Sequence, residues 1–172
     1  MAILDVLTLP DPRLRQVSQP VTRFDDELRA FIDDLDETRR AGPAAVGIAA
    51  PQVGRFQRIV IVDVSTKKGI ASHGFLVLVN PEITHWEGFG IGREGCLSVP
   101  DFTGNVIRAT RIRLGARDPL GEPVELEMEG FEARAVQHEI DHLDGLLFVD
   151  RVVSRRTDLF RRKVYQTGRG PV

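Results

Sequence analysis

The residues best suited to chemistry lie in Gln137-His138-Glu139-Ile140-Asp141-His142, where two imidazoles stand four positions apart with a carboxylate beside the first. On an α-helix, positions i and i+4 project from one face, so His138 and His142 can bind one divalent metal ion with Glu139 adjacent. Such an ion lowers the pKa of bound water towards ~7, and a neighbouring carboxylate can take the proton and pass it to a departing amine. The chemistry implied is metal-assisted hydrolysis. The pattern is short and also arises in amphipathic helices whose histidines bind nothing, so the rest of the chain has to support it.

A catalytic centre of this kind needs a third protein ligand and one open position. Cys96, the only cysteine, lies in Glu94-Gly95-Cys96-Leu97-Ser98-Val99-Pro100 and would complete a Cys-His-His set. Taken alone, it is more often a buried, inert thiol. The competing ligands His73 and His85 fall in a polar loop and in the run Ile83–Glu87, and read as surface or rim residues. A nucleophilic role for Cys96 is disfavoured, because a metal-bound thiolate is a poor nucleophile. A third segment, Val46-Gly47-Ile48-Ala49-Ala50-Pro51-Gln52, is rich in small residues that permit close approach of a peptide backbone. Gln52 at its end can donate an amide N–H to an oxyanion, as amide hydrolysis requires.

The elements that must hold these groups can be read from periodicity. Leu28, Phe31, Ile32 and Leu35 recur at helical spacing after Asp25, and Gly42-Pro43 should stop that helix. The stretch from Ala44 to Gly54 reads as a site-lining loop or short strand. Arg58–Val64 and Phe75–Val79 are β-rich runs expected to pair, with Asn80-Pro81 ending the second. Further strands are expected at Ile83–Glu87, Val106–Ala116 and Pro123–Glu129, with Asp118-Pro119-Leu120-Gly121 as a turn. Phe131, Ala135, His138 and His142 then share a helical period that Gly145 should terminate. A last, basic helix is expected from Ser154 through Val164. Strands grouped between helices, without βαβ alternation, predict an α+β fold of antiparallel β-sheets around a central metal-binding helix, with N-terminal and C-terminal helices.

At 172 residues the chain fits a single domain, residues 1–172, with a flexible tail from about residue 165. The net charge of −2 gives no whole-molecule reason to expect DNA or a membrane as partner. One cysteine excludes an internal disulfide framework and fits a reducing compartment. The N-terminus lacks the basic and apolar regions of a secretory signal, and no apolar run approaches the ~20 residues of a membrane span. A soluble, cytoplasmic protein is expected.

Taken in order, the segments Val46–Gln52, Glu94–Ser98 and Gln137–His142 resemble the three signature motifs of the peptide deformylases, and the likeness runs from about Leu7 to Phe148. That resemblance implies an enzyme that removes the N-formyl group from nascent chains beginning with formyl-methionine and releases formate. It implies Cys96, His138 and His142 as metal ligands, with Fe²⁺ the favoured ion and Zn²⁺, Ni²⁺ or Co²⁺ accepted, which suits a mixed thiolate and imidazole set. Glu139 becomes the acid and base, while Gln52 and the Leu97 N–H meet the oxyanion. Backbone near Val46, Gly47 and Leu97 would pair with the peptide, and Val46, Leu97, Phe131 and Ala135 would receive the methionine side chain.

Two departures from the family pattern stand out. Ala45 precedes Val46 where many members carry glycine, which affects the backbone path before the first motif. Thr103 stands where some bacterial members carry an arginine that contacts the peptide. Glu94 is expected to pair with a cation such as Arg108 or Arg134 and so to orient the cysteine segment. Asp141 and Asp144 read as N–H acceptors or surface charges, and the basic tail as a solvated face or a transient ribosome contact. The alternatives are an HExxH zinc peptidase, whose third ligand would lie downstream at Asp150 or Asp158, and a non-catalytic metal-binding paralogue.

Overall fold

The computed structural model describes residues 2–43 and 45–162. Their regular elements, in chain order, are helix α1 (Asp26–Ala41), strands β1 (Gly47–Ala49), β2 (Ile59–Val62), β3 (Leu76–Glu87), β4 (Gly90–Cys96), β5 (Val99–Arg108), β6 (Arg111–Arg117) and β7 (Pro123–Glu129), helix α2 (Gly130–Leu143) and strand β8 (Leu159–Arg161). Every strand pairing is antiparallel, in a five-stranded sheet of order β1-β2-β3-β6-β7 and a three-stranded sheet of order β4-β5-β8. The α+β class with antiparallel sheets is therefore as expected.

α1 starts where the Asp25 side chain accepts the Leu28 N–H at 3.0 Å, an N-cap that offsets one of the four unpaired amides of the first turn. Its buried residues Leu28, Ile32 and Leu35 pack on one face of the large sheet, against Ile48, Ile59, Ile61 and Val79. Ala49, Val60, Val62 and Leu78 alternate onto the other face, where Ala133, Val136, Ile140 and Leu143 of α2 cover them. Cover on both faces explains why β2, Ile-Val-Ile-Val, is buried at every position instead of alternating. Glycine ends α2 for a steric reason: Gly145 takes φ +74, and a Cβ there would lie 2.4 Å from the Arg15 carbonyl oxygen.

The small sheet closes the site from the other side. Val99 and Val106 join Leu14, Leu147 and Phe148 in a separate apolar cluster on which Cys96 packs. The N-terminal segment ties the two sheets together, since the Leu7 N–H donates to the Gln52 carbonyl at 2.7 Å and the Leu9 N–H to the Ser98 carbonyl at 2.9 Å.

Three expectations are corrected. Asn80-Pro81 does not end a strand; β3 runs through it with a shift of register between Val79 and Glu82. Asn80 supports this at φ +51, its side chain accepting the Val21 N–H (2.8 Å) and donating to the Val21 carbonyl (2.9 Å). The stretch Val106–Ala116 is divided between β5 and β6 around Ala109 and Thr110, and Gln137 of α2 bonds both the N–H (3.1 Å) and the carbonyl (2.9 Å) of Ala109. No helix starts at Ser154: turns lead into β8, which pairs with β5 in the register Phe102↔Arg161, Thr103↔Phe160 and Gly104↔Leu159. The basic residues there suggest a helix face, but Leu159 and Phe160 instead pair along the edge of β5. The remainder of that expected helix, and the tail expected to be flexible, lie outside the described residues. Among the described residues no helix is long and apolar enough to cross a membrane.

Candidate metal centre

α2 lies between the sheets with its apolar face on the five-stranded one, which turns His138 and His142 towards the small sheet, where β4 ends at Cys96. The ligand atoms of Cys96, His138 and His142 lie within 4.8 Å of one another, the one such cluster of three among the described residues. Cys96 Sγ is 3.4 Å from His142 Nε2. The two imidazoles stand edge to face, ring centroids 5.2 Å apart, and His138 stacks on Phe148 at 6.2 Å. Asp150 and Asp158 are occupied elsewhere, by the Leu147 N–H and the Asn105 amide respectively, so the downstream ligand of a zinc peptidase is not present.

The set fits a divalent cation on electrostatic grounds. His142 is held well below its ordinary pKa by burial and by the charge of His138, which keeps its lone pair available. Burial also works against a charged His138, yet Cys96, Glu139 and Glu94 outweigh it and raise its affinity for a proton. A metal ion competes for that same lone pair.

Glu94 is buried and accepts from three side chains at once. It accepts from His138 Nδ1 at 2.8 Å, from Arg108 at 2.9 and 3.0 Å, and from Arg134 at 2.8 Å. Burial opposes its charge, but the His138 and Arg108 hydrogen bonds hold its carboxyl well below the usual carboxylate range. Bonding Nδ1 to Glu94 leaves Nε2 of His138 free to hold a metal ion, so the expected pairing with an arginine is only part of its role. Arg108 extends the chain of contacts to Asp141 at 2.6 Å, and Asp141 also accepts from Arg151 at 2.6 and 3.0 Å. Asp141 is thus a buried N–H acceptor, while Asp144 is an exposed partner of Arg58. We expect Glu94→Gln to weaken metal retention by ~10- to 100-fold, because the ring loses its orienting anion. Competition with a chelator reads this directly, and unchanged retention would reduce Glu94 to a counter-ion for the arginines.

Glu139 is buried beside this network but outside it. Its Oε1 has no hydrogen-bond partner, and burial pushes its carboxyl up to about 7, with the charge on His138 pulling the other way. The carboxylate rests on β1 so closely that a Cβ at Gly47 would lie 2.5 Å from Oε2. Gly47 is required here by contact, not by backbone conformation.

Gln52 is anchored at both ends of its amide. Oε1 accepts the Ala49 N–H at 2.9 Å, and Nε2 donates to Ser98 Oγ at 3.1 Å and lies 3.5 Å from Cys96 Sγ. The donor is therefore aimed at the ligand cluster. Ser98 is the partner that sequence reasoning missed, and its place two residues after Cys96 is the signal available for it.

A cavity of about 1030 Å³ opens onto Glu139 and Cys96, and Val46, Gly47, Gln52, Leu97, Phe131 and Ala135 all line it. The structure thus brings together every residue singled out from the three motifs. His73 lies on the helix end as a partner of buried Glu132 (2.6 Å), and His85 is exposed on β3, so neither competes as a ligand.

Comparison with known proteins agrees with this geometry. The family model described as polypeptide deformylase matches residues 3–158. A peptide deformylase of Alkalilimnicola ehrlichii is 49% identical over 164 residues, covering 95% of this chain and 90% of that protein. The crystal structure of peptide deformylase from Thermotoga maritima superposes with a TM-score of 0.83 at 37% identity, over 90% of this chain and all (100%) of that one. A second, from Ehrlichia chaffeensis in complex with actinonin, gives 0.84 at 34% identity over 91% and 92%. With its ligand cluster, its buried carboxylate and its sheets arranged as described, the chain belongs to the polypeptide deformylase family.

Proposed function

We propose that this protein hydrolyses the N-formyl amide of peptides that begin with formyl-methionine, releasing formate and a free amino terminus. The observation that carries the reading is the Glu139 carboxylate: buried, with one oxygen unpartnered, beside three side chains clustered closely enough to hold a metal ion, in a peptide-sized cleft. A divalent ion on Cys96, His138 and His142 would acidify water and polarise the formyl carbonyl.

Glu139 takes a proton from water and gives it to the departing peptide amine, a task suited to a carboxyl whose burial raises its affinity for a proton. Gln52 Nε2, held by its own carbonyl on Ala49, donates to the oxygen that gains charge, together with the Leu97 N–H. The peptide backbone adds alongside Val46, Gly47 and Leu97 in strand fashion, which tolerates varied sequences. The methionine side chain enters the apolar part of the cleft at Val46, Leu97, Phe131 and Ala135.

We assign Fe²⁺ as the working ion, with Zn²⁺, Ni²⁺ and Co²⁺ as substitutes, since a site with one thiolate and two imidazoles accepts all four. We also read residues 1–172 as one catalytic domain acting on nascent chains in the cytoplasm, where a lone thiol at the metal stays reduced. Formate release from formyl-Met-Ala-Ser by protein prepared anaerobically with Fe²⁺ tests the reaction and the cofactor together. Cleavage of an internal peptide bond instead, or metal binding without turnover, would refute it.

A further inference from the structure

We propose that the mouth of the cleft selects peptides carrying acidic residues just after the formyl-methionine, through Lys67, Arg93 and Arg161. The inference rests on the deformylase reading above and concerns which peptides that same site prefers.

All three cations line the cavity, and each is seated on an aromatic ring instead of a carboxylate. The Arg93 guanidinium lies 3.9 Å above the Phe160 ring, the Arg161 guanidinium 5.7 Å from that of Phe102, and Lys67 Nζ 5.1 Å from that of Phe131. Arg93 is further held by neutral groups, donating to Asn105 Oδ1 at 3.1 Å and to Thr103 Oγ1 at 3.3 Å. A ring face orients a cation without cancelling its charge. The side chains are positioned, and their charge remains for a ligand.

The acids of the lining do not offset them. Only Glu94 and Glu139 belong to it, both buried, and Glu94 is already shared by Arg108, Arg134 and His138. Asp101, on the neighbouring strand β5, and Asp158, just before β8, do not line the cavity. The chain as a whole carries −2, so the positive rim is a local feature set against a weakly acidic molecule. β8 creates much of it: pairing Thr103 with Phe160 and Phe102 with Arg161 brings residues 159–161 to the cleft.

Main-chain pairing reads no side chains, so charge at the rim decides between peptides of equal length. In an extended peptide the first two residues beyond methionine lie ~3–7 Å further out, within the ~8 Å over which exposed charges act at physiological salt. Rim charges of this kind act on encounter and ground-state binding more than on the reacting amide, so the preference belongs in KM and fades with salt.

The test compares C-terminally amidated formyl-Met-Glu-Glu, formyl-Met-Gln-Gln and formyl-Met-Lys-Lys as substrates of the Fe²⁺ enzyme. We expect kcat/KM to fall in that order, by roughly tenfold from Glu to Lys at ~20 mM salt, converging near ~0.5 M. Combining Lys67→Gln, Arg93→Gln and Arg161→Gln should collapse the Glu-to-Lys ratio towards one, a ratio taken within one preparation and independent of its active fraction. Equal rates, a preference for lysine, a salt-independent ratio, or a ratio that survives the triple variant would each overturn the proposal. Formate released from none of the three peptides would overturn the deformylase reading and this proposal with it.

Discussion

Glu139→Ala is expected to keep its metal and its fold while losing ~10²- to 10⁴-fold in deformylase turnover, the range over which a positioned acid and base acts. The three ligands are untouched, and the carboxylate takes no part in the Glu94 network that orients His138. Its removal therefore separates proton transfer from metal binding. Metal content beside single-turnover rate is the measurement, and parallel loss of both would make Glu139 structural.

A stability readout follows from the same carboxyl. Its folded pKa of about 7 stands above the ordinary 4.5, so the folded chain keeps a proton that the unfolded chain has already released. Stability of the metal-free protein should fall as pH rises from ~4.5 to ~7 and stay low above that. In Glu139→Ala this particular loss disappears. Thermal unfolding of the two metal-free proteins at pH 5 and pH 8 should show a smaller pH dependence in the variant, and identical slopes would count against a desolvated carboxyl.

Gln52→Leu is expected to lower kcat by ~10²- to 10³-fold with little change in KM, since a donor aimed at a developing oxyanion acts mainly in the transition state. The amide also has a structural task, because leucine leaves the Ala49 N–H and Ser98 Oγ without a buried partner at ~1–3 kcal/mol each. Gln52→Glu separates the two tasks. It retains an acceptor for Ala49 and removes the donor, so a rate loss as deep as that of leucine with a smaller drop in Tm identifies the donor as the catalytic part. An unchanged kcat in both variants would remove Gln52 from the chemistry.

The parts legible in advance share a feature: their cause is local in the chain. Helix period placed His138, Glu139 and His142 on one turn, Asp25 and Gly145 marked helix ends, and the alternating or continuous apolar runs of β2, β6 and β7 announced strands. β4 was missed because Gly-Ile-Gly-Arg-Glu-Gly-Cys has almost none of the side chains that favour a strand. Its glycines answer to neighbours elsewhere in the chain: a Cβ at Gly92 would lie 2.8 Å from the Arg134 guanidinium, and one at Gly95 would meet Arg162 at 2.4 Å. The basic stretch after Ser154 failed for a related reason. Its helical reading was weak local preference, and the open edge of β5 outweighed it.

The sequence by itself determined the donor types, the order of the three motifs and the helical turn that spaces the imidazoles, because covalent order and backbone geometry suffice for those. Only the tertiary structure decided that Cys96, 42 residues before His138, completes the cluster, since that depends on β4 ending against α2. It also decided which nitrogen of His138 is engaged by Glu94 and which is left free, and which way the Gln52 amide points, through Ala49 and Ser98. These are contacts between residues remote in the chain, and their geometry exists only once burial has made each hydrogen-bonding group find a partner or remain, like Glu139 Oε1, without one.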